Sequence, residues 1–210
     1  MTRILVVDDH PLVRRGVVQV LSEGFPGGKV EEASDPREAL DALRAEACSL
    51  VVLDISLPGR SGLDLLKEIK AVYPSVPILI LSAHPESQFS TRTLRAGASG
   101  YLTKESPPAM LLQAAHKILQ GGKFITPSAA ELLASEMQFD ASKPPHELLS
   151  DREYDVMLKI ASGSSVGQIA EVMNLSAKTV STYRTRLLTK LALKNNAELT
   201  HYALRNRLIE

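Results

Sequence analysis

The chain is poor in the residues that staple a fold or clasp a metal. Among 210 residues there is one cysteine, Cys48, and no tryptophan. A single cysteine excludes a disulfide framework and any cysteine-rich zinc site. The five histidines (His10, His84, His116, His146 and His201) are scattered without metal-ligand spacing. No apolar run reaches the roughly 18 residues of a membrane-spanning helix. Met1-Thr2-Arg3 leads into a strand-like run and not a signal peptide, so a soluble cytoplasmic protein without membrane contact is expected. Excess charge is lacking too, since 24 Lys+Arg face 24 Asp+Glu. That balance excludes a polybasic nucleic-acid coat but says nothing about local patches.

The balance is not uniform. Residues 1–121 carry 13 basic and 14 acidic side chains, whereas residues 146–210 carry nine basic and seven acidic. Val172 to Ala197 holds Lys178, Arg184, Arg186, Lys190 and Lys194 and no acid. Neutrality averages over unlike parts, and the length allows two small domains.

The first part alternates strand and helix. Arg3–Asp8, Lys29–Ser34, Ser49–Asp54, Pro77–Ser82 and Ser99–Thr103 are short, near-continuous apolar runs of the kind buried on both faces of a parallel sheet. Helices are expected over His10–Ser22, from Asp35, over Gly62–Tyr73, Glu86–Ala96 and Pro107–Gln120. Asp35-Pro-Arg-Glu38 combines an N-cap acid, proline at N1 and glutamate at N3. Five βα units within residues 1–121 predict a doubly wound five-stranded parallel sheet, an α/β fold.

In such sheets ligands gather outside the carboxyl ends of the strands, near the topological switch point. The polar residues at those ends are Asp8, Asp9, Asp54, Ser82 and Lys104. Three carboxylates brought together repel one another unless a cation intervenes. Hard oxygen ligands with open positions suit Mg²⁺. Asp54, ending the central strand, can serve as a nucleophile toward a phosphoryl group and form an acyl phosphate. Asp9 would ligate the metal directly, and Asp8 directly or through water. Lys104 would offset charge on the transferring oxygens, and Ser82 would hydrogen-bond the attached phosphate. Taken singly, a strand-end aspartate commonly just caps a helix. The joint pattern on four of five strand ends is what points to a site.

The runs Ile4-Leu-Val-Val-Asp-Asp-His-Pro-Leu-Val-Arg-Arg-Gly16, Val52-Leu-Asp-Ile-Ser-Leu-Pro-Gly59, Leu81-Ser-Ala83 and Ala96-Gly-Ala-Ser-Gly-Tyr-Leu-Thr-Lys104 resemble a response-regulator receiver domain, a flavodoxin-like fold. The resemblance implies that Asp54 accepts phosphate from the histidine of a sensor kinase. It also implies that Asp8, Asp9, Asp54 and the backbone carbonyl of Ser56 form the Mg²⁺ site. Ser82 and Tyr101 fill the family's two switch positions, with the Tyr101 ring turning inward when Ser82 engages the phosphate. Lys104 is its phosphate-contacting lysine. Glu105 follows it where many receivers have proline after a cis bond.

The remainder reads as a small all-α helix-turn-helix domain over 148–210, joined by a linker over 122–147. Within that linker Pro127–Met137 can form a short helix, and two prolines break helix within Phe139–His146. Ser150-Asp-Arg-Glu153 and Ser165-Val-Gly-Gln168 are capping boxes opening two helices. Asn174-Leu175 makes a turn, Ser176 caps a third helix running to about Leu191, and a fourth covers about Asn196–Arg207. On the third helix Val180, Tyr183, Leu187, Leu188 and Leu191 share an inward stripe. Lys178, Ser181, Thr182, Thr185, Arg186 and Thr189 face outward, basic and rich in hydroxyls. A helix-turn-helix places such a helix in the major groove. Lys178, Arg186 and Lys190 would neutralise phosphates, Arg184 would touch the backbone from the flank, and Ser181, Thr182 and Thr185 can reach base edges.

Leu149-Ser-Asp-Arg-Glu153, Gln168-Ile-Ala170, Leu175–Arg184 and Lys190-Leu resemble the LuxR-type helix-turn-helix. Joined to a receiver, this looks like a NarL/FixJ-class response regulator, resembling the subset that includes virulence and carbon-storage regulators. The resemblance implies a phosphorylation-switched transcriptional regulator. Its partners would be a sensor histidine kinase, double-stranded promoter DNA and a second copy of the chain, with RNA polymerase a further candidate. Two alternatives stand beside it. One is a DNA-binding regulator indifferent to phosphorylation. The other is an aspartyl-phosphate phosphatase of the haloacid-dehalogenase class, which expects an acid two residues after the nucleophile, where this chain has Ser56.

Overall fold

The structure, a computed structural model, describes residues 1–57, 61–138 and 144–209, and only the backbone of 135–138. Pro58 and Gly59 of the loop after the central strand, and most of the linker segment Phe139–His146, lie outside the described residues. The chain forms two compact units, Met1–Glu131 and Leu132–Glu210.

In the first unit, strands β1 (Arg3–Val7), β2 (Lys29–Ala33), β3 (Leu50–Leu53), β4 (Ile78–Ser82) and β5 (Gly100–Thr103) pair in parallel in the order β2-β1-β3-β4-β5. The sequence predicted this sheet, because the runs of β1, β3 and β4 are buried on both faces. Helices α1 (Pro11–Gly24), α2 (Pro36–Ala45), α3 (Gly62–Val72), α4 (Glu86–Arg95) and α5 (Pro108–Leu119) connect the strands and flank the sheet. Asp35 caps α2, its carboxylate accepting the Glu38 N–H at 2.9 Å, and Ser61 caps α3. One face of the sheet (Ile4, Val6, Leu50, Val52, Leu79, Leu81, Leu102) packs on Val17 and Leu21 of α1 and Leu111, Ala114, Ala115 and Ile118 of α5. The alternate residues Leu5, Val7, Val51, Leu53, Ile78 and Ile80 are equally buried and by strand alternation point to the other face.

Register sets the site. Val7 pairs with Leu53, so Asp8 and Asp54 leave adjacent strands side by side, and the Asp54 N–H donates to the Val7 carbonyl at 2.9 Å. Ser82 pairs with Thr103, and the Lys104 N–H donates to the Ser82 carbonyl at 2.7 Å. Gly62 lets α3 approach this edge: a Cβ there would lie 2.0 Å from the Asp54 carbonyl oxygen. No cis peptide bond occurs among the described residues, so Lys104–Glu105 is trans.

After α5, Gly121 (φ +85°) turns the chain back, and the Phe124 N–H donates to the Ser99 carbonyl beside β5 at 2.8 Å. Helix α6 (Pro127–Gln138) follows, close to the short helix expected over Pro127–Met137. The second unit continues with a 3-10 turn at Pro145–Leu148, where the sequence predicted no helix. Proline bars the helix interior but fits the first position of a turn, where its missing N–H has no partner to lose. Four helices follow: α7 (Asp151–Ala161), α8 (Val166–Val172), α9 (Ala177–Lys190) and α10 (Asn196–Arg205). Both expected capping boxes form, Ser150 with Glu153 and Ser165 with Gln168. Asn174, at φ 51°, makes the tight turn between α8 and α9. Val156, Met157, Ile169, Val180, Leu187 and Leu199 are fully buried between these helices.

Candidate functional site

The strand ends bring together what the sequence expected. Asp8 and Asp54 are 2% and 1% exposed, Ser82 is fully buried and Asp9 is half-buried. Lys104, reaching back from β5, places its Nζ 2.7 Å from Asp8 Oδ2 and 2.7 Å from Asp54 Oδ2. The other Asp54 oxygen accepts the Ser56 N–H at 3.0 Å. Burial pushes the Asp54 carboxyl above its ordinary range, and the Asp8 charge adds to this, while the Lys104 ammonium pulls the other way. Burial also works against charge on Lys104, but the two carboxylates outweigh it and raise its pKa.

One histidine is not scattered away from the site. His10 joins the cluster, so that one ligand atom each from Asp8, Asp9, His10 and Asp54 lie within 4.8 Å of one another. The Asp8 carboxylate accepts the His10 N–H at 2.8 Å and folds the ring back toward the acids. A histidine adjacent to two strand-end acids was the available signal. Asp9 Oδ1 is buried, and His10 Nδ1 lies 2.9 Å away but out of hydrogen-bond alignment. Three carboxylates, one with a buried oxygen short of donors, make a donor set that a hard divalent cation fits.

Tyr101 also differs from expectation. Its ring is already inward, 2% exposed, with its hydroxyl donating to the His84 carbonyl at 2.8 Å. Ser82 Oγ accepts the His84 N–H at 3.1 Å. Ser82 and Tyr101 therefore both hold the backbone of His84 on the β4–α4 loop. Burial, with the nearby Glu86 and Asp54 charges, raises the Tyr101 pKa, leaving the hydroxyl a donor throughout the ordinary pH range.

In the second unit Lys178, Ser181, Thr182, Thr185 and Arg186 are exposed on α9, while Val180, Leu187 and Leu188 are buried and Tyr183 is half-buried. Among the described residues the Lys178 and Arg186 side chains have no polar partner. Lys190 does: its Nζ donates to Glu153 Oε2 at 2.6 Å, and Glu153 is only 3% exposed. Lys190, expected from the sequence to meet phosphate, is thus paired with a buried carboxylate of its own domain. Arg184 is partly committed, its Nε donating to Asn196 Oδ1 at 2.7 Å. The Thr182 and Thr185 hydroxyls each donate to a backbone carbonyl one turn back, at 3.0 Å. They face outward with acceptor lone pairs and methyl groups, whereas the Ser181 hydroxyl has no such bond.

Comparison with known proteins agrees with both halves. The family profile of the response regulator receiver domain matches residues 4–116, and that of the bacterial regulatory proteins of the luxR family matches residues 147–203. The chain is 38% identical over 210 residues to the response regulator UvrY of Escherichia coli, covering 99% of this chain and 96% of that one. It is 34% identical over 211 residues to the response regulator GacA of Pseudomonas viridiflava, covering 100% and 99%. Among solved structures, RcsB of Salmonella enterica serovar Typhimurium, bound to the promoter rprA in the presence of the phosphomimetic BeF3⁻, is 26% identical. It aligns with a TM-score of 0.63 over 96% of this chain and 97% of that one.

Proposed function

We infer how this chain works from its family: it belongs to the two-component response regulators of the NarL/FixJ class, with a receiver and a LuxR-type DNA-binding domain. It is a transcriptional regulator, and its receiver takes a phosphoryl group on Asp54. The carrying observation is the 2.7 Å bridge from Lys104 to both Asp8 and Asp54 at the switch point of the sheet. A carboxylate oxygen of Asp54 attacks phosphorus, the P–N bond to the kinase histidine breaks, and the departing imidazole keeps that electron pair and takes up a proton. Lys104 stays beside the new acyl phosphate and shares its charge. The Ser82 hydroxyl, next along the sheet edge, donates to a phosphate oxygen. Asp8, Asp9, Asp54 and the Ser56 carbonyl would hold Mg²⁺, which supplies positive charge to the phosphoryl oxygens.

On the DNA side, α9 enters the major groove. Lys178 and Arg186 meet phosphates, and Ser181, Thr182 and Thr185 face base edges. Arg184 serves as a flanking contact held by Asn196. RcsB, in the structure described above, is bound to a promoter, which supports the same use here. A groove beside α10, lined by Leu193, Ala197, Glu198, His201, Tyr202 and Arg205, gives a second copy a mainly apolar surface to cover, consistent with inverted half-sites. No described helix is long and apolar enough to cross a membrane. The chain works in the cytoplasm with a sensor kinase and RNA polymerase as partners, and its only chemistry is its own phosphoryl transfer and loss.

Random-site DNA selection with and without acetyl phosphate and Mg²⁺ tests this reading. Enrichment of a two-fold symmetric sequence that strengthens with phosphodonor is expected. Steady hydrolysis of a small phosphomonoester would favour the phosphatase alternative. Selection that ignores the phosphodonor would favour a regulator independent of phosphorylation.

A further inference from the structure

Glu86 opens α4 four residues after Ser82, and it carries a second connection. Its Oε2 accepts a hydrogen bond from Thr126 Oγ1 at 2.6 Å and another from Ser128 Oγ. Thr126 also caps α6. Its hydroxyl accepts the Ala129 N–H at 3.2 Å, its carbonyl takes the Ala130 N–H at 2.9 Å, and Ala129 is buried. The first turns of α4 and α6 are thus fastened together by one carboxylate. Chain return makes this possible: Gly121 reverses direction and Phe124 pairs beside β5. A Cβ on Gly100 would lie 2.8 Å from the Phe124 carbonyl, so this approach needs a glycine there.

The opposite end of the connection is the switch pair. The loop from Ser82 to Glu86 is held by the Ser82 hydroxyl at the His84 N–H and by the Tyr101 hydroxyl at the His84 carbonyl. The Glu86 charge lies near enough to Tyr101 to act on its phenol. Helix α4 seats on a mixed polar and apolar face. Its buried face mixes Phe89 and Leu94 with Ser90 and Thr93, and the fully buried Ser90 hydroxyl has no hydrogen-bond partner among the described residues. An unmatched buried hydroxyl disfavours the present seat and makes displacement of the helix easier.

We propose that Glu86 is the joint through which the Ser82–Tyr101 pair acts on the connecting helix α6. A movement of the β4–α4 loop shifts Glu86, weakens its hold on Thr126 and Ser128, and loosens the start of α6. This inference rests on phosphorylation of Asp54 as the input. Because such coupling is reciprocal, variants on the linker side must also change how tightly the receiver holds a phosphoryl stand-in.

The test uses the full chain with BeF3⁻ and Mg²⁺ and a duplex recovered by random-site selection. Glu86→Ala and the linker-side pair Thr126→Val/Ser128→Ala are compared with wild type. In wild type, BeF3⁻ should speed amide exchange at Ala129 and Ala130. Each variant should exchange fast there without BeF3⁻ and should cut the BeF3⁻-induced gain in DNA affinity by about fivefold or more. Combining them should add little, since both break one joint. The linker-side pair alters only a helix start, so it decides the matter even where Glu86→Ala disturbs α4. Wild-type gain in both variants, or fully additive losses, overturns the joint. A wild-type protein whose DNA affinity ignores BeF3⁻ overturns the Asp54 reading instead, and this inference with it.

Discussion

Replacing Lys104 by alanine measures how strongly the strand-end acids depend on one cation. Its Nζ is 2.7 Å from a carboxylate oxygen of Asp8 and 2.7 Å from one of Asp54, and its side chain is only 13% exposed. Truncation leaves two nearly buried like charges facing each other. Removing one partner of a buried pair costs about 3–5 kcal/mol, whereas an exposed pair is worth about 0–1 kcal/mol. The partly exposed lysine points to the lower end, about 3 kcal/mol. That corresponds to a shift of roughly 150-fold in the folding equilibrium of the receiver. Amide exchange of the β1 and β3 core reads this unit's opening free energy within the full chain. Asp54→Asn in the Lys104→Ala background should restore much of the loss, because asparagine needs no counter-charge. Added Mg²⁺ should stabilise the alanine variant more than wild type. A loss under about 1 kcal/mol, or no recovery with Asp54→Asn, would refute the electrostatic account.

Three further outcomes follow from the geometry. Gly62→Ala forces a methyl into the Asp54 carbonyl and should destabilise the receiver by about 1–3 kcal/mol and slow acetyl-phosphate labelling, read by exchange and by phosphate incorporation. Lys178→Ala and Arg186→Ala should each lower the slope of log affinity against log salt by about one, measured by DNA titration, with Lys190→Ala moving helical-domain stability more than that slope. Burial alone would raise the Glu153 pKa, but Lys190 and the Ser150 cap outweigh it and hold it below its ordinary 4.5. A depressed carboxylate stabilises the fold above its unfolded pKa. The helical domain should therefore keep its full stability above about pH 4.5 and lose it as pH falls through the lower folded value. In Glu153→Gln this loss should flatten, as followed by circular dichroism.

The strand-end site was readable because its signal is local. Each of RILVVD, SLVVLD and PILILS states a buried strand and the polar residue that ends it. Parallel register then makes Asp8 and Asp54 neighbours. The caps were readable for the same reason, since Ser150 and Glu153 stand three residues apart. Contacts between distant segments left no pattern. Lys190 and Glu153 lie 37 residues apart, so no spacing announces that a lysine expected at phosphate has a carboxylate partner. Thr126 and Glu86 lie 40 apart, and their meeting depends on a glycine turn and on pairing beside β5. Tyr101 could be assigned to a switch position by resemblance, but its inward ring follows from the His84 carbonyl, which no spacing announces. His10 has no histidine partner at ligand spacing; its neighbours in the cluster are the acids beside it in sequence and Asp54 across the sheet.

The central claim is that phosphorylation of Asp54 changes DNA affinity. It is tested most directly by titrating a selected duplex with wild type and Asp54→Asn, each with and without acetyl phosphate and Mg²⁺. The account predicts a wild-type affinity that changes with the phosphodonor and an Asp54→Asn affinity that does not. Equal response in both proteins, or response in neither, would contradict it.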